Sequence, residues 1–227
     1  MKTIAVISRK GGAGKTTVAV NLALVAHLRG HKVLLVDIDP QRSAALTLGS
    51  RGAMGPRVAA KTAGHLYQTA QVAQREGCDL MIIDTPPAPM GDVAQAVNSA
   101  DLNLIVSRPT FLDIASIVQS VDLIRQLGRT GAVVLNQTPA PRGDVTAPSV
   151  RRAEEALALT GLPLLARLSA RQVYQTSLAS GRSALELGSQ LAEAELMALW
   201  KAVQSRLHAV DRRTPANDPG TSRLCAV

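Results

Sequence analysis

The chain has 227 residues, 46% hydrophobic and 19% charged, which suffices for one sizeable core and excludes a disordered or fibrous protein. Lysine and arginine outnumber aspartate and glutamate 25 to 17, and the resulting formal charge of +8 favours a polyanionic partner. Two cysteines, Cys78 and Cys225, exclude a disulfide scaffold and a cysteine-only zinc site, and they suggest a reducing, cytoplasmic setting.

In chain order, residues 3–8 read as a first strand and 16–29 as a helix, followed by a strand over 32–37. Residues 41–62 lack a clear period and carry Arg42, Arg51, Arg57 and Lys61 among Gly, Ser and Ala, so they read as an ordinary connection or a mobile basic loop. A helix over 64–75, a strand over 80–84, a helix over 92–100 and a strand over 102–107 come next. They are followed by a helix over 113–127, a strand over 132–136 and a helix over 148–160. A short apolar run at 162–168 suggests an edge strand, and helices are expected at 171–179 and 190–210. The strands are apolar almost throughout, the pattern of a sheet buried on both faces. The expectation is an α/β fold with a predominantly parallel, twisted sheet flanked by helices on both faces. It is expected to form one domain over 1–210, with a loose Pro- and Ser-containing tail over 211–227. No apolar run is long enough to span a bilayer, which takes about 18 residues.

The first strand runs into Lys10-Gly11-Gly12-Ala13-Gly14-Lys15-Thr16-Thr17, and a helix follows at once. Glycines at these positions let the backbone curl so that its N–H groups point at a β-phosphate, and the helix start adds partial positive charge. Lys15 is placed to neutralise β and γ oxygens, and the Thr16 hydroxyl to ligate magnesium. Two acidic strand ends follow: Asp37-Ile38-Asp39-Pro40-Gln41 and Asp84-Thr85-Pro86-Pro87. In a parallel sheet all strand C-termini share one edge, so Asp37, Asp39 and Asp84 should converge near the phosphates. Each alone also reads as a helix cap or turn former.

These motifs, with a weaker Pro109-Thr110-Phe111-Leu112-Asp113, resemble the ParA/MinD family of deviant phosphate-loop ATPases, in its short plasmid-partition type. The resemblance covers about residues 1–187 and implies the fold of phosphate-loop NTPases, with ATP and Mg2+ as ligands. It further implies that Lys10 reaches across a homodimer to the partner's ATP, that Asp39 positions the hydrolytic water, and that Asp37 and Asp84 support magnesium. Two lysines competing for one cradle would repel, whereas Lys10 supplied in trans acts like an arginine finger; the alternative is a plain surface lysine. Asn136, followed by Gln137, lies where the family contacts the base, and equally reads as a turn residue. A guanine-reading Asn-Lys-x-Asp motif is absent there.

The relatives bind duplex DNA without sequence preference as ATP-bound dimers, and a ParB-like or other cargo adaptor stimulates hydrolysis. By resemblance Arg171 and Arg182 are the DNA-contact candidates, each alternatively a helix-end charge or ion-pair member. Only Tyr67, Phe111, Tyr174 and Trp200 are aromatic, which disfavours stacking on single strands. Nucleoid association in the cytoplasm follows from the resemblance. Membrane positioning of the MinD kind is the runner-up, but the stripe Leu196, Leu199, Val203, Leu207 and Val210 reads as a core-facing helix. Cluster-bearing reductase relatives need paired cysteines that Cys78 and Cys225 do not supply.

Overall fold

The computed structural model describes residues 1–87, 90–141, 143 and 145–211. Among these residues seven strands, β1 (Lys2–Ile7), β2 (Val33–Asp37), β3 (Arg57–Ala60), β4 (Leu80–Asp84), β5 (Leu102–Ser107), β6 (Gly131–Thr138) and β7 (Leu164–Ser169), form one sheet in the order β3-β2-β4-β1-β5-β6-β7. Every neighbouring pair is parallel. Among the described residues eight helices accompany them, six between strands and two after the last: α1 (Lys15–Leu28), α2 (Ser43–Gly49), α3 (Leu66–Arg75), α4 (Met90–Ser99), α5 (Phe111–Gln126), α6 (Pro148–Ala158), α7 (Gln172–Ala179) and α8 (Gln190–Asp211). The expected two-sided α/β architecture is the one the chain adopts.

The pleat of β1 explains why both faces are covered. Ile4 and Val6 join a core with α1, α2, α7 and α8, while Ala5 and Ile7 join a second core with α3, α4, α5 and α6. Helix α1 is buried almost all round, from Val18 to Ala26, because it lies between the sheet and its neighbours α2, α7 and α8. On α8, Leu196, Leu199, Val203 and Leu207 are buried, as the core-facing reading requires, and each burial is worth on the order of 2 kcal/mol. Among the described residues no helix is long and apolar enough to cross a membrane. Apart from Asp211, which closes α8, the tail expected over 211–227 lies outside the described residues.

Residues 41–62 differ most from expectation. They hold α2, a 3-10 turn at Gly52–Met54 and the edge strand β3, which pairs with β2 from Leu34↔Arg57 to Asp37↔Ala60. Arg51 anchors the segment through a two-pronged bond to Glu186, with contacts of 2.9–3.0 Å, and a further bond to the Gly181 carbonyl. A Cβ on Gly181 would come within 2.7 Å of the Thr47 carbonyl, so glycine is needed there for close approach as well as for its φ of +63°.

Other boundaries shift by small amounts with clear local causes. Helix α5 begins at Phe111 rather than 113 because the Thr110 hydroxyl caps it, accepting from the Asp113 N–H. The short run after 162 forms the edge strand β7, paired on one side with β6.

Candidate functional site

The register of β2, β4 and β1 sets the acidic side chains before any loop is considered. Asp37 pairs with Asp84, and Asp84 with Val6, so the ends of three adjacent strands deliver both carboxylates beneath the loop that leaves β1. Thr85 secures this junction by donating to the Val6 carbonyl at 2.9 Å, and the Ile38 N–H donates to the Asp84 carbonyl at 3.0 Å.

The loop itself turns through Gly12 at φ +73° and Gly14 at φ +92°, and α1 begins at Lys15 immediately after. The first N–H groups of α1 therefore have no carbonyl partner within the helix and face the loop. Gly11, Gly12, Gly14, Lys15 and Thr16 line one open cleft of about 460 Å³, together with Asp39, Pro40, Gln41, Pro86 and Pro87. Ala13 is fully buried and helps support the loop from beneath, and Thr17 enters α1, its carbonyl accepting from Asn21 at 2.9 Å.

Lys15 is only 7% exposed. Burial lowers its pKa, opposed by the attraction of Asp84 and Asp39. Asp84 is fully buried, and burial pushes its carboxyl up to about 7 against the bond donated by Thr16 Oγ1 to its Oδ2 at 2.7 Å. Its other oxygen, Oδ1, is buried with no hydrogen-bond partner. An unpaired buried carboxylate oxygen beside a threonine hydroxyl fits a divalent cation, which prefers hard oxygen donors. Among the described residues no three His, Cys, Asp or Glu side chains cluster as a complete metal cage.

Asp37 does something more specific than its strand-end position suggests. Its Oδ1 accepts from the Asp39 N–H and its Oδ2 from the Ala45 N–H, both at 3.0 Å. It thus ties the Asp39 turn to the first turn of α2, while burial raises its pKa. Asp39 in turn accepts from the Gln41 N–H at 2.9 Å and keeps its side chain at the cleft.

Lys10 stands at the loop's entrance. Ser8 Oγ holds its backbone, with 3.3 Å to the N–H and 3.4 Å to the carbonyl. Its ammonium makes no hydrogen bond or ion pair among the described residues.

Asn136 lies under the loop, 4% exposed, with its Nδ2 donating to the Ala13 carbonyl at 2.8 Å. Neighbouring Gln137 donates to the Gly12 carbonyl at 2.9 Å. This second bond has no signal in the sequence, since Gln137 belongs to no motif. Asn21 is likewise silent in sequence: fully buried on α1, it accepts from Ser183 Oγ and the Ala184 N–H and ties the helix to the 3-10 turn at Ala184–Leu187.

The two arginines expected to meet nucleic acid lie outside the cleft, near opposite ends of α7. Arg171 is bonded to Glu195 at 2.8 Å, and Glu195 also accepts from Ser169 and Tyr174. Arg182 is exposed and donates to the Glu186 carbonyl at 2.9 Å.

Residues 4–184 match the family described as the CobQ/CobB/MinD/ParA nucleotide binding domain. The chain is 32% identical to a maintenance of carboxysome distribution protein A from Gloeobacter kilaueensis over 201 residues, covering 86% of this chain and 89% of the relative. It is 29% identical over 224 residues to a protein ParA from Rhizobium radiobacter, covering 91% of this chain and all of the relative. The fold superposes on the cell division ATPase MinD of Pyrococcus furiosus with a TM-score of 0.74 at 22% identity, over 90% of this chain and 98% of that one. A β1 loop of this geometry, strand-end carboxylates set against it by register, and a family match over most of its length establish that the chain belongs to the CobQ/CobB/MinD/ParA nucleotide-binding family.

Proposed function

We propose that the chain is an ATPase switch that dimerises around ATP and Mg2+, binds duplex DNA without sequence preference as the dimer, and positions a cargo. The observation that carries this reading is Lys10: a partly buried lysine whose ammonium has no partner among the described residues, just before a loop whose cleft already holds Lys15. Such a charge gains most from an anion supplied by a second copy, whose approach would exclude water from it.

In this reading the loop's N–H groups and Lys15 cradle the β- and γ-phosphates. Thr16 and Asp84 would hold the Mg2+ of the bound nucleotide, and the ion would spread the charge on the phosphate oxygens. Asp39 orients the attacking water from a turn that Asp37 fixes through two backbone N–H groups. Asp37 thereby supports the metal site by shaping its wall. Asn136 has its Nδ2 committed to Ala13, which leaves its Oδ1 for the base.

Loss of the γ-phosphate removes the shared anion, so each Lys10 loses its contact and the dimer separates. A dimer doubles the +8 charge and joins two weak phosphate-binding surfaces, so DNA affinity follows the nucleotide state through effective concentration. Arg182, exposed, is the first candidate contact, while Arg171 is engaged by Glu195. The names of the relatives, one for carboxysome distribution and one for ParA, support a positioning role. The cargo would be chosen by an adaptor, ParB-like or otherwise, that stimulates hydrolysis, and the protein would reside on the nucleoid in the cytoplasm. Membrane positioning gains nothing from α8, because its apolar stripe is buried in the core.

Gel shifts on unrelated duplexes test this directly. The native chain should retard DNA with ATP, far less with ADP, and with a steep loss as salt rises. Retardation independent of nucleotide, or unchanged in Lys10→Ala, would overturn the coupling.

A further inference from the structure

Strand β6 breaks its ladder with β7 beside the cleft. Leu135 pairs with Arg167 and Thr138 with Ser169, so Asn136 and Gln137 oppose the single residue Leu168: a bulge. Gln137 sits at φ +53°, a left-handed conformation that costs a glutamine roughly 1 kcal/mol. Arg42 is the other described non-glycine residue with positive φ.

The distortion has a geometric result. In a regular strand adjacent side chains point to opposite faces, so Asn136 and Gln137 could not reach the same loop. With the bulge and the left-handed turn they do: Asn136 donates to Ala13 O at 2.8 Å and Gln137 to Gly12 O at 2.9 Å. Because the amide carbonyl and N–H of a trans peptide point in opposite directions, drawing these two carbonyls toward β6 turns the N–H groups of Ala13 and Gly14 away from it. The approach is tight enough to exclude a side chain between them, since a Cβ on Gly14 would lie 2.0 Å from Asn136 Nδ2 and 3.6 Å from Gln137 Nε2.

We propose that Gln137 is a positioning residue which, with Asn136, clamps the carbonyls of the β1 loop so that its N–H groups are set for a β-phosphate before the nucleotide arrives. Strain at an exposed residue persists where a functional geometry requires it, and presetting donors spares ordering at the moment of binding. This rests on reading the loop as the phosphate cradle, and it adds a residue outside every motif.

Titration calorimetry with Mg·ADP, and competition by inorganic tripolyphosphate, on the native chain and on Gln137→Gly test it. Glycine relieves the φ strain while deleting the amide, so the nucleotide-free melting temperature should not fall, yet Mg·ADP should bind roughly fivefold to tenfold more weakly. Tripolyphosphate should weaken by the same factor, since it has no base or ribose for Gln137 to touch. Gln137→Glu, equal in length but unable to donate, should lose at least as much. Native affinity for Mg·ADP in Gln137→Gly would overturn the clamp, as would a loss seen with Mg·ADP and absent with tripolyphosphate. A native chain that binds neither ligand would overturn the cradle itself, and the clamp with it.

Discussion

Asp84, behind the cleft, is under electrostatic tension: a fully buried carboxyl, one oxygen bonded to Thr16 and the other without a partner among the described residues. Burial raises its folded-state pKa to about 7, above the roughly 3.9 of an unfolded aspartate. Between those values the folded chain retains a proton that the unfolded chain has lost, so stability falls as pH rises through that window and is flat above it. Asp84→Asn removes this loss. The nucleotide-free variant should be more stable than the native chain at pH 8, by on the order of 4 kcal/mol, and melt higher, with the gain shrinking toward pH 5. Thermal melts at both values check this, and a pH-independent difference would contradict it. Lys15→Ala should abolish nucleotide binding in the same calorimetric assay while leaving the fold, because the lysine's own burial is unfavourable to its charge.

The loop and its acids were legible in sequence because phosphate chemistry demands contiguous residues: Gly12, Gly14, Lys15 and Thr16 in one run, Asp37 and Asp84 each closing an apolar strand. Gln137 and Asn21 were not. Their roles depend on a bulge and on helix packing that bring residues more than a hundred positions apart into contact, and no local pattern encodes that.

Elements show the same division. Strands β1, β2, β4, β5 and β6 are central and buried on both faces, so their apolar runs declare them. β3 is a four-residue edge strand, Arg57-Val58-Ala59-Ala60, exposed at both ends, and too short to stand out. What holds its segment is the long-range pair of Arg51 with Glu186.

At the junction of β7, α7 and α8, burial tends to raise the Glu195 pKa, but bonds from Arg171, Ser169 and Tyr174 overcome it and hold the carboxyl below its usual range. That stabilisation is present above the unfolded pKa and disappears as pH falls through the lower folded value. Arg171→Ala should therefore cost about 2 kcal/mol at pH 7, with a smaller deficit at pH 3, read from denaturant or thermal unfolding. Arg182→Ala, at the far end of α7, should leave stability within about 0.5 kcal/mol and instead lower the salt dependence of DNA binding by about one phosphate contact per chain. If the two variants exchanged these phenotypes, the assignment of DNA contact to Arg182 would be wrong.

At the scale of the whole molecule, the chain places its nucleotide cleft at the C-terminal edge of the sheet, at the end of β1 between β4 and β5, where the chain's course divides toward the two sheet edges. Asp39 lines that opening and Lys10 precedes the loop that forms it, so in the proposed dimer a second copy meeting it would complete both sites by one symmetric contact. If, as proposed, each site takes the other's Lys10, nucleotide occupancy and assembly would be one equilibrium.

The most direct measurement is the mass in solution, by light scattering, of Asp39→Ala saturated with Mg·ATP, in which the triphosphate should survive. The expected particle is a dimer of the 23.8 kDa chain, and adding Lys10→Ala to the same background should return it to the monomer. A monomer in the first case, or a dimer that persists in the second, would contradict the shared-nucleotide switch.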